Sequence, residues 1–163
     1  MGITIKLNEI EQTICSTMAI KRYNECREAG AVNKGHLLNH PLAMEVDGIG
    51  GELAVARHLK IYPNLDMGMK YGGCDLVSRS GIRIEIKTTN HKSGKILAQS
   101  WKKAEDSDIY ILVTGQFPEF ELVGWCYTKE LITPENLKPQ RQGECYEWQH
   151  EDLRPMTEKP EVE

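Results

Sequence analysis

Residues 71–90 read YGGCDLVSRSGIRIEIKTTN, and the conformation of this stretch decides the fold. Taken as extended chain, Ile82, Ile84 and Ile86 fall on one face, and Arg83, Glu85 and Lys87 on the other. The isoleucine face requires a core. Ser80-Gly81 supplies a tight turn, since glycine adopts positive φ without steric cost. Asp75-Leu76-Val77-Ser78 then pairs back as the other arm of a hairpin. That pairing brings Asp75 near Glu85 and Lys87 at one end of a sheet. Two carboxylates and a lysine on a rigid strand pair can hold a divalent metal and position a water beside it.

With 163 residues the chain is long enough for one domain with a proper core. No apolar run reaches a membrane span and no secretory h-region opens the sequence, so a cytosolic protein is expected. Five cysteines are scattered without a CxxC pair, which argues for free thiols over a zinc ribbon or disulfide framework. The net charge of −4 disfavours a generally sticky nucleic-acid binder. Its distribution is uneven, however. Between Arg79 and Lys103 seven bases face one acid, Glu85, whereas from Ala104 onward five bases face fourteen acids. A basic rim around a carboxylate pocket suits a polyanionic substrate. A solvated charged loop is the alternative reading of the same charges.

The flanking segments supply the rest. Residues 8–29 predict a helix with Asn8 as N-cap, Glu9 and Glu11 in its first turn, and Ile10, Ile14, Met18 and Ala19 as its apolar stripe. Residues 31–46 read as irregular. His36 and His40 are four apart, but Pro41 opposes helical geometry at His40, so a metal pair is not expected. A second helix is expected from about Gly48 to Leu59, capped by Asp47. Its glycines permit close approach to a neighbour, and Glu52 is an acid in an otherwise apolar and small-residue segment. Ile96 to Gln99 predicts a short strand leading into a helical turn, SWKKAEDS. Residues 108–114 predict a central strand, and 120–127 another, with a short helix from Thr128 limited by Pro134. Beyond Asn136 the chain is polar, and from Arg154 a disordered tail is expected. No phosphate-binding glycine loop or dinucleotide fingerprint is present.

In this order, a helix with Glu52, a strand with Asp75, a turn, and a strand with Glu85-Ile86-Lys87 resemble the PD-(D/E)XK nuclease superfamily. The likeness is to small phage and bacterial members and covers roughly residues 45–132. It implies an α/β fold with a restriction-endonuclease-like core, a central mixed sheet of four to five strands flanked by helices. Residues 1–153 would form the single domain and 154–163 the tail. Cys74 stands where the family name implies proline. The resemblance further implies that Asp75, Glu85 and the carbonyl of Ile86 bind Mg²⁺ or Mn²⁺, with Glu52 completing the shell. Lys87 would orient or help deprotonate the attacking water, leaving a 5′-phosphate and a 3′-hydroxyl. Thr88, Lys92, Lys95 and Gln99 are the candidate nucleic-acid contacts.

The function so implied is a metal-dependent deoxyribonuclease that uses an activated water. The alternatives are a catalytically silent DNA-binding or adaptor protein on the same fold, a Holliday-junction resolvase, and a plain α/β protein whose EIK is an edge-strand charge pattern. No helix-turn-helix or zinc module is visible, so tight sequence specificity is not expected. A homodimer would help to cut two strands, although no sequence feature demonstrates one.

Overall fold

The computed structural model describes residues 2–28, 41–66 and 73–161. In chain order its elements are β1 (Ile3–Lys6), α1 (Glu9–Glu28), α2 (Pro41–Leu59), β2 (Leu76–Val77), β3 (Arg83–Thr89), β4 (Ile96–Gln99), β5 (Ile109–Gln116), β6 (Glu119–Tyr127), α3 (Thr128–Leu131), β7 (Leu137–Gln140) and β8 (Gly143–Trp148). Five strands form a mixed sheet in the order β1-β6-β5-β3-β2. Within it β3 and β5 run parallel and every other pair is antiparallel. The protein is therefore α/β. A second, antiparallel sheet of three strands, β4-β8-β7, is built largely from the polar region beyond Asn136. Among the described residues no helix is long and apolar enough to cross a membrane.

The side-chain alternation of β3 separates two cores. Ile84 and Ile86, with Ile109, Ile111 and Val113 of β5, pack against α2 and α1. Tyr110 and Leu112 project from the opposite face and pack with Ile96 and Ala98 of β4, Cys126 and Leu131. Both faces of β5 are thus covered, which accounts for its nearly continuous apolar sequence. The architecture is three layers: helices, the five-stranded sheet, then the three-stranded sheet.

Helix α1 starts as expected. Asn8 Oδ1 accepts from Glu11 N–H at 2.9 Å while Glu11 Oε2 accepts from Asn8 N–H at 2.8 Å, a reciprocal capping box. Its apolar stripe is rotated, however. Cys15, Met18 and Ala19 are buried, whereas Ile10 is 72% exposed. Helix α2 begins at Pro41 rather than near Gly48, proline being well suited to a first helical turn. Asp47 is therefore no cap. It lies within the helix, and its Oδ1 accepts from Phe117 N–H at 2.9 Å. Burial pushes its carboxyl above the usual range, partly offset by that hydrogen bond. His36 and His40 lie outside the described residues.

The hairpin forms as read. Gly81 has φ +88° and donates its N–H to Ser78 O at 3.0 Å, closing the turn between β2 and β3. The SWKKAEDS segment is a series of turns rather than a helix. It folds back because Asp108 clamps Arg83: Asp108 Oδ2 accepts from Arg83 N–H at 2.8 Å, and Oδ1 accepts from Arg83 Nη2 at 3.0 Å. The guanidinium hydrogen bond holds the Asp108 carboxyl below its ordinary range.

The tail, read from composition as disordered, is laid along β6 through residue 161. Arg154 and Trp125 exchange backbone hydrogen bonds of 2.9 Å in both directions. The Arg154 guanidinium is bidentate to Glu130 at 2.7 and 2.9 Å and stacks over Trp125 and Tyr127. One arginine with three partners outweighs the polar composition around it.

The glycine pair of α2 sets the distance between helix and sheet. A Cβ at Gly50 would overlap the Phe120 ring, and one at Gly51 would overlap the Thr88 hydroxyl. Gly51→Ala is expected to lose about 1–3 kcal/mol of stability in urea denaturation, as overpacked cores do. Adding Thr88→Ala is expected to recover part of that loss.

Candidate active site

β2 is only two residues long, and its partner β3 continues past it. At that point the Asp75 side chain takes the place of a backbone partner. Its N–H donates to Ile84 O at 2.9 Å, and its Oδ2 accepts from Ile86 N–H at 2.7 Å. In a strand the N–H and C=O of one residue point to the same edge. The Ile86 carbonyl is therefore directed to the edge on which the Asp75 carboxylate sits.

Glu85 projects from the face of β3 opposite α2. Its side chain is only 7% exposed, and its Oε1 receives two ammonium groups, Lys87 Nζ at 3.0 Å and Lys102 Nζ at 3.0 Å. An ionised carboxylate so deeply buried needs such partners. Lys102, itself only 9% exposed, comes from the turns between β4 and β5. Tyr110 lies beneath, with Lys87 Nζ 5.9 Å from its ring centroid. Burial, and then the charges of Glu85, Asp106 and Asp75, push the Tyr110 hydroxyl well above its normal range. The edge thus combines two carboxylates, an aligned carbonyl, two lysines and a phenol that stays neutral.

The remaining candidates lie around this centre. Glu52 is on α2, which covers the Ile84/Ile86 face of β3, and its Oε1 lies 3.7 Å from Arg22 Nη1. Among the described residues no three His, Cys, Asp or Glu side chains form a group able to hold a metal ion. Thr88 is packed under Gly51 on the helix side. Lys92 is exposed, Lys95 Nζ is 2.7 Å from Glu147 Oε2, and Gln99 Oε1 accepts from Trp101 Nε1 at 3.0 Å. The Lys95 hydrogen bond holds the Glu147 carboxyl below its usual range. Of the free thiols among the described residues, Cys15 and Cys126 are buried, and burial pushes each up to about 12, so neither is a thiolate nucleophile.

Asp75, Glu85 and the Ile86 carbonyl are hard oxygen donors, the type that Mg²⁺ and Mn²⁺ take. Lys102 is the residue that motif reasoning missed. One signal for it existed: Glu85 is the sole acid in a run of seven bases, and a buried acid must find its counter-charges nearby.

No protein-family model matches the chain, and no curated protein matches its sequence.

Two substitutions separate the structural from the chemical roles of the acids. Asp75→Ala leaves Ile86 N–H without its acceptor and is expected to cost about 1–3 kcal/mol, whereas Asp75→Asn keeps an acceptor oxygen and costs less. Glu85→Gln leaves two lysines facing a neutral amide at a buried position. It is expected to cost about 3–5 kcal/mol, measured by equilibrium denaturation.

Proposed function

We propose that the protein is a metal-dependent nuclease that hydrolyses phosphodiester bonds of DNA through an activated water, on a restriction-endonuclease-like core. The observation that carries this reading is the Asp75 carboxylate holding Ile86 N–H at 2.7 Å beside Glu85, which itself meets Lys87 at 3.0 Å. The hairpin, the parallel β3–β5 pair and the covering helix α2 agree with the expected core.

In this reading Asp75, Glu85 and the Ile86 carbonyl would hold Mg²⁺ or Mn²⁺. The bound ion supplies Lewis acidity and a water of lowered pKa. Lys87, one position beyond the carbonyl, would orient an attacking water in line with the phosphorus. Lys102 adds a second positive charge where negative charge develops on the phosphoryl oxygens. Tyr110, whose hydroxyl pKa is pushed upward chiefly by burial, lies beneath Lys87. The hydrophobic floor beneath Glu85 keeps bulk water from screening these charges.

The engagement of Glu85 Oε1 by both ammonium groups favours a second reading, a DNA-binding protein without catalysis, because that carboxylate is already neutralised. Cleavage of labelled single-stranded, duplex and four-way-junction DNA in Mg²⁺, Mn²⁺ or EDTA separates the two. The nuclease reading predicts metal-dependent cutting that falls by about 10²-fold or more in Lys87→Ala and in Asp75→Asn. DNA binding with no cutting of any substrate would leave the silent binder.

A further inference from the structure

Trp101 is 57% exposed, beside the buried centre of charge described above. It sits in the turn that follows β4, where Lys102 N–H donates to Gln99 O at 3.0 Å. Its orientation is fixed from two sides. The indole Nε1 donates to Gln99 Oε1 at 3.0 Å, and Lys102 Nζ lies 5.1 Å from the ring centroid. That same ammonium is 3.0 Å from Glu85 Oε1. Because the two distances share one atom, the indole centroid lies within about 8 Å of the Glu85 carboxylate. Lys102 is buried and Trp101 is not, so the ring turns one face inward to the ammonium and leaves the other toward solvent. Lys92 and Lys103 are exposed on the same basic segment.

We propose that Trp101 is a stacking platform for an unpaired nucleobase next to the phosphodiester that would be cleaved at the Asp75–Glu85 edge. The protein's substrate is then a single-stranded or locally unpaired nucleic acid. This rests on the nuclease reading of the Asp75–Glu85 edge and names its substrate class. Every base offers a π-face, so an oriented indole binds bases with little sequence preference, and it reaches them only when they are unpaired. Phosphates of a stacked strand rise about 3.4 Å per nucleotide. A ring within about 8 Å of Glu85 thus meets a base within two or three nucleotides of the phosphate that would be cleaved there. The ammonium lies against the inner face, so a base would stack on the outer one.

The test is binding in EDTA, so that it does not depend on catalysis. Affinities of labelled oligothymidylate and of a duplex of equal length are measured for wild type, Trp101→Ala and Trp101→Phe, with circular dichroism to establish folding. The proposal predicts tighter binding of the single strand, weakened by about tenfold or more in Trp101→Ala, as loss of one stacked base implies. Trp101→Phe should recover most of that affinity, and duplex binding should change by less than about twofold. Trp125 is buried and Trp148 is only partly exposed, with its Nε1 donating to Asp152 O at 3.2 Å, so the larger share of any saturable quenching of indole fluorescence by oligothymidylate should be lost in Trp101→Ala. Unchanged single-strand affinity in Trp101→Ala, or equal losses on single strand and duplex, would overturn the stacking role and leave the nuclease reading standing. A self-association that Trp101→Ala abolishes without changing DNA affinity would also overturn it, assigning the ring to a second copy. Failure of the wild type to bind any of these DNAs, in EDTA and again with Mn²⁺ added, would overturn the stacking role and remove the nuclease reading as well.

Discussion

A carboxylate inside a protein must be matched by charge, and the burial of Glu85 is the constraint from which the arrangement of this molecule follows. At 7% exposure, Glu85 requires cations within hydrogen-bonding distance. One, Lys87, comes from the same face of the same strand. The other, Lys102, arrives from fifteen residues further along and reaches the site only if the segment after β4 folds back over the sheet. The Arg83–Asp108 clamp secures that return by joining the first residue of β3 to the residue before β5. The second sheet then closes over Tyr110 and Leu112 and seals the floor of the site.

The sheet edge supplies the other half of the arrangement. Among the described residues, the two-residue β2 pairs β3 only at Arg83 and Ile84. Asp75 completes the ladder with its side chain instead of its backbone, which fixes the carboxylate without a longer strand. The same economy places the Ile86 carbonyl beside it. Helix α2 supports β3 from behind through contacts that only glycine permits, so Gly50 and Gly51 set the layer spacing while Glu52 pairs toward Arg22.

Much of this was legible in the sequence where local rules govern. Alternation in Ile82–Lys87, the Ser80-Gly81 turn, the Asn8 cap and the apolar run of β5 each follow from short-range chemistry, and each appears in the structure. Reading failed where distant partners decide. Asp47 resembles a helix cap, but the helix starts at Pro41 and the aspartate serves Phe117 instead. The polar region that forms β7 and β8 has weak strand character of its own and is ordered by pairing with β4. The tail is ordered chiefly by Arg154, whose partners Glu130, Trp125 and Tyr127 lie two to three dozen residues away. Lys102 was legible only as one base among seven, since nothing local distinguishes a buried lysine from a solvated one. The likeness to the PD-(D/E)XK pattern pointed to Asp75, Glu85 and Lys87, which the fold gathers at one edge. It also pointed to Glu52, which the fold leaves on the side of α2.

The central proposal is that Asp75, Glu85 and the Ile86 carbonyl would make one divalent-cation site at the β2 edge of β3. Anomalous diffraction from crystals equilibrated with Mn²⁺ tests it most directly. The account predicts a manganese peak at these three oxygen donors, with at least one of Lys87 and Lys102 displaced from Glu85, and loss of that peak in Asp75→Asn. A fully equilibrated crystal with no peak at this edge, and with both lysines still on Glu85, would contradict it.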